Sequence, residues 1–198
     1  MVDAKQITKN HLFPTMVYCV ANVLPTEERE NILRDITQRQ EQQGNLPLLD
    51  ADVYQPLIYQ IADIAKCWMQ DHQWEYDKLI LTDMWFTKLK PGGYHRPHSH
   101  ANNFISGVYY PESCDSDGIV FEDPRSQANV ILPFALSQNA FNSQSWMFPA
   151  NENSLLMFPS WLKHHVPPAR KNRSSVAFNL MLTGVVGREI DFQFSEFS

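Results

Sequence analysis

Hydrophobic residues follow two different spacings along this chain, and the change comes near residue 79. Before it, apolar side chains recur every three or four positions, which is typical of helices with one buried face. After it, they come in short runs rich in β-branched and aromatic residues, which is typical of strands. The pattern therefore predicts helices first and a mainly β body after them.

Two helices are predicted in the first part. The first should begin near Pro25, after the extended lead HLFPTMVYCVANVL, with Leu24 packed as a hydrophobic staple and Gly44 as a candidate C-cap. Its apolar stripe is Ile32, Leu33 and Ile36. The second helix is predicted from a longer stripe: Leu57, Ile58, Ile61, Ile64, Ala65, Trp68 and Met69.

Six short segments after residue 79 are predicted as strands, because Pro, Gly, Asn or Asp clusters separate them. They are LILTDMWFTKL (79–89), FISGVYY (104–110), GIVFED (118–123), NVILPFAL (129–136), SLLMFPSWL (154–162) and SSVAFNLML (174–182). Such a series favours a β-sandwich or barrel. We expect one domain over 1–198, with helical support in 1–78 and the β core in 79–198.

Composition and charge reduce the number of functions to be considered. The net charge is −6 and the densest basic tract is only Arg170, Lys171 and Arg173, so a nucleic-acid surface is not expected. The three cysteines are far apart and odd in number, which is typical of free thiols in a reducing compartment. With no apolar leader and no run of eighteen apolar residues, the sequence predicts a soluble, cytoplasmic protein without a membrane segment. A virus-encoded chain would work in the host cytoplasm.

Histidines supply the candidate chemistry. Five of the seven fall in two tracts, HRPHSH (95–100) and the pair His164 and His165. A lone HxH is more often a polar loop than a metal site. An HxH followed, after a long β-rich stretch, by a histidine at the end of a later strand is a stronger signal, because a closed antiparallel sheet brings distant strands together. The two tracts therefore predict a metal site.

The sequence KPGGYHRPHSHANNFISGVYY, followed by LLMFPSWLKHHVPPARKNRSSVAFN, resembles the iron(II)- and 2-oxoglutarate-dependent oxygenases. It is most similar to those of marine bacteria and their phages, with motif spacing like that of prolyl hydroxylases. The resemblance implies a double-stranded β-helix, or jelly roll, of the cupin-like kind. It also implies Fe(II) as cofactor, 2-oxoglutarate as co-substrate, oxygen and an unknown prime substrate, with oxidative decarboxylation to succinate driving a hydroxylation.

Residue roles follow from the same resemblance. His98 and His164 occupy the positions of metal ligands, and His100 stands where the family carries Asp or Glu. Arg173, nine residues after His164, would pair with the distal carboxylate of 2-oxoglutarate. If SSVAFNLML is a strand, Ser175 shares its face and adds a hydroxyl. Tyr110 aligns with a tyrosine that contacts the same carboxylate.

Alternatives remain at each of these positions. His100 can ligate the metal or leave its place to water, as in the aspartyl β-hydroxylases. His165 competes with His164, although neighbouring strand residues point in opposite directions. Arg173 could be a solvated loop residue, and Tyr110 an ordinary interior aromatic. The alternative function is a cupin-like metal-binding jelly roll without 2-oxoglutarate-dependent activity, which would not need Arg173 as an anchor.

Overall fold

The computed structural model describes residue 8 and residues 10–39, 48–125, 130–187 and 195–197. Helix α1 spans Thr26–Gln38 and α2 spans Gln55–Asp71, with a 3₁₀ turn at Asp52–Tyr54 before α2. The strands are β1 Tyr18–Ala21, β2 Lys78–Leu89, β3 His95–His98, β4 Ile105–Tyr110, β5 Cys114–Glu122, β6 Ser145–Ala150, β7 Ser154–Pro159, β8 His164–Val166, β9 Arg173–Val186 and β10 Ser195–Phe197.

The described strands form two antiparallel sheets. The larger sheet has the order β1-β7-β4-β9-β10, and β2 also pairs with β9. The smaller sheet has the order β3-β8-β5-β6. Several neighbouring strands are distant in sequence, and among them β3 and β8 bring the two histidine tracts together as adjacent strands. This pairing places the candidate chemistry at one point of the fold.

The three central strands of the larger sheet are buried on both faces. Successive side chains of a strand alternate between the two faces. On β9, Val176, Phe178 and Leu180 join the apolar core that includes residues of α1 and α2. Their neighbours Ser175 and Asn179, also buried, belong to the opposite face. The helices therefore cover one face of the sheet, which leaves the other face for the candidate site.

The predicted helices are confirmed. The first begins at Thr26 directly after Pro25, and it buries Ile32 and Ile36 completely. It ends at Gln38, because Arg39 already has extended backbone, so it does not reach Gly44. Gly44 itself lies outside the described residues.

One predicted strand is wrong. Residues 130–136 of the segment NVILPFAL form no strand, and Asn129 lies outside the described residues. The run is continuous rather than alternating, and Pro133 in its centre has no N–H to donate to a neighbouring strand. Its large side chains are exposed to solvent: Val130, Ile131, Leu132, Phe134 and Leu136. The strands β3, β6 and β8 were not predicted; β3 and β8 have only four and three residues, which give little periodicity.

The mainly β architecture with N-terminal helices is confirmed. In the described part of the chain, no helix is long and apolar enough to cross a membrane. Cys19 and Cys67 are free thiols, as predicted.

Candidate active site

The structure brings His98, His100 and His164 together. Their nearest ring nitrogens all lie within 4.8 Å of one another. His98 pairs directly with His164 across β3 and β8. The prediction that His164 ends the preceding strand is wrong: β7 ends at Pro159, and His164 begins a separate strand, β8. The turn between them lets His164 lie opposite His98.

Two of the three imidazoles are oriented by hydrogen bonds to backbone carbonyls two residues before them. Nδ1 of His98 is 2.7 Å from the carbonyl oxygen of Arg96, and Nδ1 of His164 is 2.8 Å from that of Leu162. A carbonyl only accepts, so each Nδ1 is the donor and carries the proton. In the neutral form of each ring, Nε2 is then the nitrogen with the free lone pair, which is the atom that can bind a metal.

Burial keeps His164 neutral. It is 3% exposed, and desolvation lowers its pKa to about 4, although the hydrogen bond to Leu162 opposes this. Burial also lowers the pKa of His100, with the charge of His98 adding to the effect. A neutral imidazole can bind a metal without first losing a proton. These two rings are therefore ready to ligate at neutral pH.

His100 is held by contacts from two other parts of the chain. Its ring is nearly parallel to that of Trp85 on β2, with 6.1 Å between centroids. Its backbone N–H donates to the carbonyl oxygen of Ser160, at 2.9 Å, in the turn after β7. These contacts hold His100 beside His98 and His164.

The other two histidines of the tracts do not join this cluster. His165 points away from it, with Nδ1 3.6 Å from a carboxylate oxygen of Glu122. His95 is half-buried on β3, with its ring 6.3 Å from that of His98. Burial lowers the pKa of His95, and the charges of His98 and Arg173 lower it further. His95 therefore lies close enough to both His98 and Arg173 for their charges to lower its pKa.

Arg173 is a buried cation. It is 3% exposed, its Nη1 donates to the carbonyl oxygen of Gly118 at 3.0 Å, and its Nη2 donates to the hydroxyl of Tyr110 at 3.2 Å. Its Nε is buried without a hydrogen-bond partner, and it forms no ion pair with a carboxylate among the described residues. Burying an uncompensated charge is costly. The position therefore suits an anion supplied from outside the chain.

The other two predicted co-substrate residues surround this cation. Tyr110 is fully buried, and the Arg173 guanidinium carbon lies 5.2 Å from the centre of its ring. Ser175 is 8% exposed and lies two residues after Arg173 on the same face of β9. The solvated-loop alternative for Arg173 is wrong, because the side chain is inside the fold.

A cavity of about 610 Å³ lies elsewhere, between the N-terminal lead and the smaller sheet. Phe121 and Leu162 line it, and Phe121 also contacts the His164 ring, with centroids 5.8 Å apart. None of the histidines or arginines of the candidate site lines this cavity. It is therefore a separate cavity beside the histidine cluster, with Phe121 in contact with both.

Sequence reasoning missed three residues that support the site: Ser106, Gly118 and Asn179. Gly118 approaches β6 so closely that an added Cβ would lie 2.0 Å from the carbonyl oxygen of Phe148. Asn179 had a readable signal, because it is a lone amide within the apolar run VAFNLML. Buried Asn residues are uncommon unless they are hydrogen-bonded.

The residues fit the groups that the resemblance implies. Three imidazoles within reach of one point, of which His100 and His164 have pKa values lowered by burial, suit a divalent transition metal such as iron(II). The orphaned Nε of Arg173 is a donor that a carboxylate would satisfy. Both features belong to the described residues and do not depend on any comparison.

Comparisons with known proteins support the same iron(II) and 2-oxoglutarate chemistry. The family described as "Putative 2OG-Fe(II) oxygenase" matches residues 83–179, which include all the candidate site residues. A prolyl-4-hydroxylase from Pseudomonas putida is similar in structure, with a TM-score of 0.60 and 14% identity over 84% of this chain and 85% of that one. A search of curated proteins finds no match.

Two further structures share the fold. The epimerase SnoN of nogalamycin biosynthesis has a TM-score of 0.63 and 11% identity over 84% of this chain and 76% of that one. The viral collagen prolyl hydroxylase of Paramecium Bursaria Chlorella virus-1 has a TM-score of 0.56 and 10% identity, covering 88% and 97%. The predicted double-stranded β-helix is confirmed. Residues 83–179 of this chain belong to the superfamily of iron(II)- and 2-oxoglutarate-dependent oxygenases, and the chain has the fold of its solved structures.

Proposed function

We propose that this protein is a hydroxylase that uses Fe(II) held by His98, His100 and His164, with 2-oxoglutarate anchored on Arg173. The single observation that carries the proposal is the pairing of a three-histidine cluster with a buried guanidinium that has no carboxylate partner among the described residues. The overall reaction would convert 2-oxoglutarate, oxygen and a C–H bond of the prime substrate into succinate, carbon dioxide and a hydroxylated product.

The bound metal would supply the chelation of the 2-oxo acid and the activation of oxygen, which no side chain can perform. The chain's own residues would do the positioning. Nη1 and Nη2 of Arg173 are already held by Gly118 and Tyr110, so the guanidinium plane is fixed before the co-substrate arrives. A fixed fork orients a carboxylate at a smaller entropic cost than a mobile side chain.

The direct test measures 2-oxoglutarate affinity in wild type and Arg173→Ala, with iron or cobalt bound under anaerobic conditions. Truncating one partner of a buried charge pair costs about 2–5 kcal/mol, so affinity should fall about a hundredfold or more. Metal affinity should hardly change. Arg173→Lys should rescue poorly, because a point charge cannot reproduce the planar fork.

The matched control is Arg170→Ala, which removes an exposed guanidinium three residues away. It should leave 2-oxoglutarate affinity within about twofold, since exposed ion pairs contribute little. Equal affinity in wild type and Arg173→Ala, or no binding to either, would contradict the proposal. The cupin-like alternative without 2-oxoglutarate dependence would then be the better assignment; at present the family and fold do not favour it.

The metal ligands need a test of their own. His98→Ala and His164→Ala should each abolish stoichiometric iron binding, because either change removes a buried or strand-fixed donor. His100→Asp should retain iron, since it supplies the carboxylate common in such sites. His100→Ala should weaken binding only in part if water can take its place. Unchanged iron affinity in both His98→Ala and His164→Ala would place the metal elsewhere.

The prime substrate is the open part of the proposal. Succinate formation that rises above the background rate with a candidate substrate would identify it. A one-domain organisation and a cytoplasmic location stay predictions from the sequence, and the oligomeric state follows from neither.

A further inference from the structure

The cavity between the N-terminal lead, residues 10–17, and the smaller sheet is called the lead cavity below, and it has the size and lining of a small-molecule site. Its volume is about 610 Å³, and such sites usually measure about 300–1,000 Å³. Aromatic rings line it: Phe121 on β5, Trp146 and Phe148 on β6, and Phe141 in the connection between these strands. His11 of the lead contacts Phe141, with ring centroids 5.0 Å apart. The lead and the β5–β6 connection therefore meet at this cavity.

The two carboxylates and the guanidinium that line the lead cavity are already paired. Arg125 donates Nε–H to Asp123 Oδ1 at 2.9 Å and Nη2–H to Asp123 Oδ2 at 2.8 Å. Oε2 of Glu122 lies 3.0 Å from Nζ of Lys163. A charged ligand would lose its water without gaining a free opposite charge, which is costly. The lining therefore favours an uncharged ligand.

One polar atom of the lining has no partner. Ser143 lines the cavity, and its Oγ is buried without a hydrogen-bond partner among the described residues. An unpaired buried hydroxyl lowers stability, and one hydrogen-bonding group on a ligand would satisfy it. The cavity therefore favours a ligand that is mainly apolar and carries a neutral polar group.

Strand β5 places the lead cavity and the co-substrate anchor on opposite sides of the histidine cluster. The carbonyl oxygen of Gly118 holds Arg173. Three residues later, about 10 Å along the strand, Phe121 pairs with His164 and contacts its ring. Phe121 also begins the part of β5 that lines the cavity. A ligand in the cavity would thus reach the histidine cluster from the end opposite to 2-oxoglutarate.

We infer that the lead cavity binds part of the prime substrate, and that this part is an uncharged aromatic group with one neutral hydrogen-bonding atom. The inference rests on the proposed hydroxylase function, because the cavity serves the reaction only if the histidine cluster binds a metal. No histidine of the cluster lines the cavity. The cavity therefore holds the distant end of the substrate, and the reacting carbon extends past Phe121 toward the metal. Binding of a remote group in this way positions the reacting carbon.

The first test compares two fluorescent probes that share their rings and differ in charge. N-phenyl-1-naphthylamine is neutral and carries one N–H, whereas 1-anilinonaphthalene-8-sulfonate adds a sulfonate to the same rings. The neutral probe should bind the protein about tenfold more tightly, because the guanidinium of Arg125 is already held by Asp123. Equal or tighter binding of the sulfonate, or no binding of the neutral probe, would overturn the inference.

The variant Ala140→Trp locates the bound probe. Ala140 lines the cavity from an exposed part of the β5–β6 connection, so a large ring there should occupy ligand space without disturbing the core. Binding of N-phenyl-1-naphthylamine should weaken by about tenfold, while the affinities for cobalt(II) and 2-oxoglutarate stay within about twofold. Ala135→Trp is the matched control, because Ala135 is exposed in the same connection but does not line this cavity. Equal effects of the two variants on probe binding would overturn the inference.

A measurement on the wild type tests whether the cavity lies beside the metal site. Bound cobalt(II) is paramagnetic and broadens the NMR signals of nearby protons, whereas zinc(II) does not. The protons of bound N-phenyl-1-naphthylamine should therefore be broadened in the cobalt(II) form relative to the zinc(II) form. Unbroadened signals of the bound probe would overturn the inference. A wild type that binds the probe but neither metal nor 2-oxoglutarate would instead overturn the proposed function, and with it the role of the cavity ligand as prime substrate.

Discussion

The two faces of the larger sheet carry opposite chemistry, although the same strands make both. On the face toward α1 and α2, residues such as Tyr109, Leu155 and Phe178 are completely buried in the larger apolar core. On the face toward the smaller sheet, the same strands carry Arg173 and Asn179, together with a smaller apolar cluster. One face therefore contributes stability and the other contributes a site.

The contrast shows how a buried polar network is tolerated. Each buried polar group lowers stability unless it is hydrogen-bonded, and Arg173 retains an unsatisfied Nε. The apolar face offsets this cost, because burial of a large aliphatic or aromatic side chain contributes about 1.5–3 kcal/mol. A strand period of two lets adjacent residues serve these separate purposes.

The largest effect is expected on the apolar face. Phe178→Ala should lower the free energy of unfolding by about 3–5 kcal/mol, since it leaves a cavity under the helices. Cobalt affinity of the folded variant should stay within about twofold, because the ring points away from the site. Urea unfolding and a metal titration test both. Tyr59→Ala, which removes a largely exposed ring on α2, is the control and should change little. A large loss of metal affinity in Phe178→Ala would contradict the separation of the faces.

Acid should lower the free energy of unfolding of the metal-free protein, because the candidate site buries neutral histidines. Because burial lowers the pKa of His164 to about 4, the unfolded chain, with a histidine pKa near 6.5, binds a proton that the native chain does not. The contribution of neutral His164 to the free energy of unfolding is therefore complete above about pH 6.5. It falls by about 3 kcal/mol as the pH drops to about 4. His100 and His95, whose pKa values are also lowered by burial, act in the same direction.

The variant His164→Asn should flatten this pH dependence, as urea unfolding at pH 7, 6, 5 and 4 would show. A slope equal to that of wild type would mean that other groups cause the acid sensitivity.

Two glycines form a matched pair for the comparison. An added Cβ at Gly107 would meet the Phe178 ring and the carbonyl oxygen of Leu156, and at Gly118 it would meet the backbone of Phe148. Each change to Ala should destabilise by about 1–3 kcal/mol through overpacking. Only Gly118→Ala should also weaken 2-oxoglutarate binding, because the Gly118 carbonyl holds Nη1 of Arg173. Calorimetry on both variants checks this, and equal affinities would contradict it.

The smallest effect is expected at Ser175. Ser175→Ala removes one hydroxyl beside Arg173 and should reduce 2-oxoglutarate affinity by about tenfold, the low end of what a hydrogen bond to a charged group contributes. Unfolding free energy should change by less than about 1 kcal/mol. Thr87→Ser, on the partner strand opposite Ser175, is the control and should leave binding unchanged. A loss at Ser175 as large as that of Arg173→Ala would assign the anchoring role differently.

The sequence by itself determined the helices, most long strands and the residue types of the site. Local spacing was sufficient for this, because Ile32, Ile61 and Phe178 face the core through their own periodicity. His98, His100, His164 and Arg173 could be named as candidates from spacing and resemblance. The prediction for residues 129–136 was wrong, because hydrophobicity alone does not supply a neighbouring strand with which to pair.

Only the tertiary structure decided how those residues act together. The β3–β8 pairing brings His98 opposite His164, and the turn after Pro159 makes that pairing possible. His100 is held beside them by the carbonyl oxygen of Ser160, in the turn after β7, and by the ring of Trp85 on β2. Such contacts join residues tens of positions apart, and their geometry is set by sheet register and strand order. Local sequence carries no information about register between distant strands, so the donors could be listed in advance but not oriented.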